Sequence, residues 1–94
     1  APIVAHVGDG NFHTLFLIDP GNDDEYARVD RVYDSMIATA HRLGGTCTGE
    51  HGIGIGKREK LVAEFGPAAV ELMRKLKEAW DPNGILNPGK VFFL

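Results

Sequence analysis

Cysteine is nearly absent from these 94 residues. Cys47 stands alone, so no disulfide can form within the chain and nothing indicates an oxidising compartment. Long apolar runs are missing too: none approaches the ~20 residues that a membrane-spanning helix needs, and we therefore predict no transmembrane segment. The chain begins without an initiator Met, a signal peptide or a presequence. We interpret it as a piece of a longer protein.

Positive charge is also scarce. Ten Lys and Arg stand against 13 Asp and Glu, giving a formal net charge of −3, and no basic stripe suggests a nucleic-acid surface. The composition, with 44% hydrophobic and 24% charged residues, is that of a globular chain and excludes disorder. The length allows one domain at most. A chain this short buries only somewhat over ~60% of the surface of its unfolded state, so an independent fold would be marginal.

Two apolar runs, residues 2–7 and 13–18, flank the segment Gly8-Asp9-Gly10-Asn11. Asp-Gly between strand-like runs is a strong hairpin signal, because a type I′ turn needs positive φ at both central positions. We predict a β-hairpin with Asp9 and Gly10 at its tip. The runs are nearly continuous in apolar residues, so we expect both faces of the strands to be covered, as in an α+β layer.

The remaining sequence favours helices. Asn22 or Asp23 can cap a helix that runs to about Leu43, with acidic residues in its first turn and one apolar stripe. Further patterns predict a short strand over 46–48, a helix over 57–65 and a helix over 67–80 that starts with proline. Cys47 and Trp80 are expected in the core.

Histidines lie on both sides of the predicted turn. With Asp9 and Gly10 as its central residues, His6 faces His13 directly, and the Cβ atoms of such a pair are ~4.5 to 5.5 Å apart. Both rings could then reach one metal ion. A slip by one residue would send the rings to opposite faces. The open alternative is an exposed histidine pair that binds no metal.

A third ligand would come from elsewhere in the chain, and Glu50 is the main candidate. Two histidines and a carboxylate suit Zn, Mn or Fe with open coordination positions. Asp9 competes for this role, although a turn aspartate more often supports its own backbone. His51 follows Glu50 in a glycine-rich stretch that permits close approach to a ligand. It could act as a general base or only pack.

Three motifs together resemble a known family. They are His6-Val-Gly-Asp-Gly-Asn-Phe-His13, the segment 45–58 that contains Gly49-Glu50-His51-Gly52, and Asp81-Pro-Asn-Gly-Ile-Leu-Asn-Pro-Gly-Lys90. In this order and separation they are similar to the C-terminal end of FAD-linked 2-hydroxy-acid oxidoreductases, over essentially the whole chain. The sequences of these motifs are most similar to those of the D-lactate dehydrogenases. Glycolate oxidase flavoprotein subunits and D-2-hydroxyglutarate dehydrogenases share the motifs.

The resemblance implies a role for each matching residue. His6, His13 and Glu50 match the family's metal ligands, and His51 matches its proposed base. Asn11 matches a position near the substrate, and Asn87 one near the flavin. The implied cofactors are FAD and a divalent metal, and the implied reaction passes the hydroxyl proton to His51 and the C2 hydrogen to the flavin as hydride.

The resemblance also implies what these residues lack. Residues 1–94 would be a C-terminal fragment of a ferredoxin-like α+β substrate (cap) domain of a VAO-type flavoprotein, with a flavin-facing tail and no FAD-binding domain of its own. Such a fragment would not be active alone. Its partners would be the FAD-binding domain of the same polypeptide, a small 2-hydroxy acid and an external electron acceptor. The location stays open: cytoplasmic or membrane-peripheral in a bacterium, or mitochondrial.

Rival hypotheses remain at this point. The first is a dehydrogenase acting on a D-2-hydroxy acid, D-lactate above all, with glycolate oxidation as its alternative within the family. The second is a small metal-binding or ligand-binding α+β module without redox chemistry. The third is a structural interaction domain in which the histidine pair is incidental.

Overall fold

The computed structural model describes residues 1–93, which form a two-stranded antiparallel sheet and three α-helices. The α+β class is confirmed. The chain divides into two compact units, Ala1–Glu50 and His51–Leu94. Over the described part of the chain, no helix combines the length and apolar character needed to cross a membrane.

The first unit opens with the predicted hairpin, but its turn is longer than expected. Strand β1 (Ile3–His6) pairs with β2 (Asn11–Thr14), and Val7–Asp9 form one 3₁₀ turn between them. Gly10 closes this turn in the left-handed conformation, with φ of 75°, which glycine adopts without steric cost. Its amide donates to the carbonyl of Val7 at 3.1 Å. The predicted two-residue type I′ turn is therefore wrong, and β2 starts earlier than expected.

The longer turn shifts the register by two residues. His6 pairs with Asn11, and His13 pairs with Val4; the predicted pairing of His6 with His13 is wrong. Because side chains alternate with a period of two along a strand, a shift of two preserves the face. His6, Asn11 and His13 therefore still lie on one face of the hairpin, with the two histidines related diagonally.

Helix α1 (Asp23–Arg42) follows the hairpin and confirms the predicted cap. The Asn22 side chain accepts a hydrogen bond from the amide of Glu25 at 3.1 Å, which satisfies one of the free amides of the first turn. The helix ends before Gly44 and Gly45, and the amide of Gly45 donates to the carbonyl of Ala40 at 2.7 Å. This reversal sends the chain back from the helix.

The strands are less covered than predicted. Every residue of β1 is exposed, and on β2 the ring of Phe12 is 53% exposed beside an apolar groove of about 730 Å³ along α1. The strands stay exposed because one hairpin and one helix have too little apolar surface to cover both faces of the sheet. The predicted strand over 46–48 is also wrong, since those residues are irregular. Cys47 is buried as predicted, at 4% exposure.

The second unit contains α2 (Arg58–Phe65) and α3 (Pro67–Trp80), close to the predicted helices. Pro67 is the first residue of α3, where its missing amide hydrogen costs nothing. Trp80 contradicts the prediction of a core position, being 86% exposed. It lies at the last residue of α3, whose apolar stripe has no fully buried member.

Asp81 shapes the chain after α3. Its buried carboxylate accepts hydrogen bonds from the amides of Ile85 at 3.1 Å and Leu86 at 2.9 Å, and also from the ammonium group of Lys77. Lys77 in turn donates to the carbonyl of Leu86 at 2.8 Å. The hydrogen bond from Lys77 is the main reason that the pKa of Asp81 is lowered. This cluster fixes the turn that leads to residue 87.

Candidate metal and proton-transfer site

Two histidines from different strands and one distant carboxylate converge within the first unit. The Nε2 atoms of His6 and His13 lie 3.5 Å and 2.5 Å from Oε1 of Glu50. The hairpin supplies both rings on one face, and the segment that returns from α1 supplies the acid. All three metal ligands predicted from the sequence are thus brought together.

Glu50 reaches the hairpin because Gly49 precedes it. A Cβ atom built on Gly49 would lie 2.8 Å from Cβ of Asn11, closer than two such atoms approach in proteins. Only glycine allows the backbone to pass this near to β2. Gly49 lies in the glycine-rich stretch of the sequence, but its contact with Asn11 could not be predicted because the two residues are 38 positions apart.

Asn11 contributes a free acceptor on the same face of the hairpin. Its Oδ1 atom is buried and has no hydrogen-bond partner. A buried acceptor without a donor costs free energy of about 1 to 3 kcal/mol, so Asn11 Oδ1 is a candidate acceptor for a donor from a bound water or ligand. The resemblance to FAD-linked oxidoreductases implies a residue near the substrate at this position.

The donor set fits a divalent cation. Bonds of about 2.0 to 2.1 Å to imidazole or carboxylate ligands put two tetrahedral ligands about 3.3 Å apart, which the His6 and Glu50 atoms nearly match at 3.5 Å. His13 and Glu50 are closer, at hydrogen-bonding distance, and would separate by less than about 1 Å to admit an ion. Two imidazoles and a carboxylate leave coordination positions open for a substrate.

Asp9, the competing carboxylate, lies within the 3₁₀ turn between the strands. The acid that contacts the histidines is Glu50, at Oε1. The turn position of Asp9 agrees with the local backbone role that is usual for such a residue.

His51 and Asn87 belong to the second unit. His51 is exposed and follows Glu50 directly in the chain. Asn87 lies in the turn after the Asp81 cluster, with a positive φ of 44°, and its carbonyl accepts a hydrogen bond from the amide of Lys90 at 3.2 Å. Positive φ is uncommon for residues with a side chain but is tolerated by asparagine.

Comparison with known proteins supports the resemblance noted in the sequence. The family model described as FAD linked oxidases, C-terminal domain, matches residues 1–91. The probable mitochondrial D-lactate dehydrogenase of Danio rerio is 52% identical over 93 residues, which cover 99% of this chain and 19% of that protein. D-lactate dehydrogenase (cytochrome) 1, mitochondrial, of Saccharomyces cerevisiae is 50% identical over 90 residues, 96% of this chain and 15% of that protein.

Glycolate oxidase subunits match as well. The GlcD subunit of Bacillus subtilis is 44% identical over 87 residues, which cover 93% of this chain and 18% of the subunit. The chain therefore spans less than a fifth of the length of these relatives.

Proposed function

We propose that this chain forms the metal-binding and proton-accepting part of an FAD-dependent D-2-hydroxy-acid dehydrogenase that oxidises D-lactate to pyruvate. The chain belongs to the family of the C-terminal domain of FAD-linked oxidases. The observation that carries the proposal is that Nε2 of His6 and Nε2 of His13 both approach the same carboxylate oxygen, Oε1 of Glu50. In this proposal residues 1–94 are the C-terminal part of the substrate domain, and the remaining polypeptide binds most of FAD.

Each site residue has a defined task in the proposed reaction. When bound, a divalent cation (Zn, Mn or Fe) polarises the substrate hydroxyl and carboxylate, and FAD accepts the C2 hydrogen as hydride. His6 and His13 hold the cation through Nε2, and Glu50 supplies the negative charge that offsets its own.

His51 accepts the hydroxyl proton at an imidazole nitrogen, so that the C–O bond becomes a carbonyl as the C2 hydrogen leaves. Its position directly after Glu50 supports this role, because the acid that holds the cation then also places the base. Asn11 accepts a hydrogen bond from the substrate through its free Oδ1 atom. Asn87 contacts the flavin from the terminal turn.

Glycolate oxidation is the second candidate, and the similarity to GlcD subunits favours it. The two activities share the proposed site and differ in the C2 substituent, a methyl group in lactate and hydrogen in glycolate. Binding of one methyl group changes specificity by only about 10- to 200-fold, so a single exchange in the substrate pocket could separate them. A metal-binding module without redox chemistry would use the same three ligands but no flavin.

The electron acceptor is external in this proposal. The relatives named D-lactate dehydrogenase (cytochrome) in Saccharomyces cerevisiae and Arabidopsis thaliana favour a cytochrome in that role. Several relatives carry mitochondrial names and others are bacterial, which is compatible with mitochondrial, cytoplasmic and membrane-peripheral locations.

The complete polypeptide provides the test. It should be yellow, and its flavin absorbance should bleach when D-lactate is added without oxygen or acceptor. If glycolate also bleaches the flavin and its kcat/KM is higher than that of D-lactate, the second candidate is favoured. Colourless protein that still binds one divalent ion per chain would contradict both and favour the module without redox chemistry.

A further inference from the structure

Arg58, the first residue of α2, binds two separate parts of the second unit. Its Nε atom donates to the carbonyl of Ile55 at 3.0 Å, and its Nη1 atom donates to the carbonyl of Gly89 at 3.0 Å. The guanidinium carbon also lies 4.2 Å from the centre of the Phe93 ring, within the range of a cation–π contact. One planar side chain thus ties the glycine-rich loop to the terminal segment.

A backbone contact reinforces the same junction. The amide of Val91 donates to the carbonyl of Gly54 at 2.7 Å. Val91 has φ of 69°, an unfavourable conformation for a β-branched residue. Such strain persists only where surrounding contacts hold it, and the contacts at hand are the Gly54 carbonyl and the Arg58 clamp.

The two joined segments are those that carry proposed functional residues. His51 lies three residues before Gly54, and Asn87 lies two residues before Gly89. The Asp81 cluster anchors the terminal segment at its beginning, and Arg58 holds it further along. Arginine suits this task because its planar fork binds two carbonyls and stacks on a ring, whereas lysine offers a single point charge.

We propose that Arg58 is a positioning residue, which fixes the loop bearing His51 against the turn bearing Asn87 without touching substrate or flavin. This proposal rests on the proposed function of those two residues. Because misplacement of reacting groups by about 1 Å can cost about 100-fold in rate, loosening the clamp should slow the chemical step while leaving ligand binding in place.

The test uses Arg58→Lys in the complete FAD-containing polypeptide, with Phe93→Leu as a second variant that keeps both carbonyl bonds. We expect faster amide hydrogen exchange at Val91 and, for Arg58→Lys, a kcat about 10- to 100-fold lower, with KM changed by less than about twofold. Phe93→Leu should show smaller effects in the same direction. FAD and metal content should equal those of the unsubstituted enzyme.

Arg74→Lys is the matched control, since Arg74 binds only Glu71 and Glu78 on its own helix in the described contacts. It should leave kcat and Val91 exchange unchanged. Unchanged amide exchange at Val91 in Arg58→Lys would show that Arg58 does not hold the two segments together. Faster exchange with a normal kcat would overturn the positioning role. Loss of FAD or metal in this variant would also overturn it. An unsubstituted enzyme that oxidises no 2-hydroxy acid would instead overturn the proposed function, and this role with it.

Discussion

The Nε2 atom of His13 donates a hydrogen bond of 2.5 Å to Oε1 of Glu50, which lies 37 residues later in the chain. Two ligands of one tetrahedral ion would be about 3.3 Å apart. A cation bound here would therefore take the place of this hydrogen bond, with His13 Nε2 and Glu50 Oε1 as two of its ligands. Metal binding at this site should accordingly weaken as the pH falls, because protons compete for the same atoms.

Removing the carboxylate should remove the metal. In the complete polypeptide we expect Glu50→Ala to lower the bound divalent ion from about one per chain to nearly none, since two neutral imidazoles alone bind weakly. His6→Ala should have the same effect. Elemental analysis after dialysis measures the change, and Asp9→Ala in the hairpin turn is the control that should retain metal. Full metal content in Glu50→Ala would contradict the ligand assignment.

The close approach of Gly49 to Asn11 should be needed for metal affinity, although Gly49 is not itself a ligand. Gly49→Ala introduces a Cβ atom 2.8 Å from Cβ of Asn11, so the segment must move away and carry Glu50 with it. We expect metal affinity to fall about 10- to 100-fold, the range found when the support of a ligand is lost. Gly56→Ala is the control, because its Cβ would meet no atom within 4 Å. Equal affinities in the two variants would show that Gly49 does not place Glu50.

The proposed base should separate catalysis from binding. His51→Asn in the complete polypeptide should retain metal and FAD but lower kcat by about 100- to 10,000-fold, the usual contribution of general base catalysis. Stopped-flow reduction of the flavin by D-lactate measures this step directly. His41→Asn, in the last turn of α1, is the control, and D-lactate should reduce the flavin of this variant at the normal rate. Normal reduction by His51→Asn would exclude His51 as the base.

The Asp81 cluster should make local stability depend on pH. Folding lowers the pKa of this carboxyl, chiefly through the hydrogen bond from Lys77, so its contribution is fully present above the ordinary carboxyl value of about 3.9. That contribution is lost as the pH falls through the lowered value in the folded state. We therefore expect Asp81→Asn to destabilise the second unit at pH 7 and to do so progressively less as the pH falls below the ordinary carboxyl value.

Amide exchange at Ile85 and Leu86, corrected for intrinsic rates, follows this loss, because both amides donate to Asp81. Glu78→Gln on the exposed side of α3 is the control and should change neither amide. An Asp81→Asn effect that keeps the same size throughout an acid titration would contradict a role for the ionised carboxylate.

Local signals predicted the helices well and the hairpin turn poorly. Asn22, Gly44 and Pro67 mark helix ends through their own backbone chemistry, so the sequence specifies those boundaries. The Asp9-Gly10 pair predicts a two-residue turn, but Gly10 takes the left-handed position at the end of a longer 3₁₀ turn instead. A two-residue shift keeps His6 and His13 on one face, so the prediction that both rings lie on the same side of the hairpin holds although the register was wrong.

Burial was harder to predict than the approach of Glu50 to the two histidines. The exposure of Trp80 depends on which surfaces the rest of the fold supplies, and its helical periodicity contains no such information. The contacts of Arg58 with Gly89 and Phe93 span more than 30 residues, and no local pattern indicates them. Glu50 was identifiable because carboxylates suit a pair of histidines, whereas the need for Gly49 follows only from the approach to Asn11.

Anomalous diffraction from crystals of the complete polypeptide, recorded above and below the absorption edge of the metal found by elemental analysis, tests the central claim most directly. We predict one peak about 2.0 to 2.2 Å from Nε2 of His6, Nε2 of His13 and a carboxylate oxygen of Glu50. Protein prepared with Zn, Mn or Fe that shows no peak there, with His13 still hydrogen-bonded to Glu50, would contradict it.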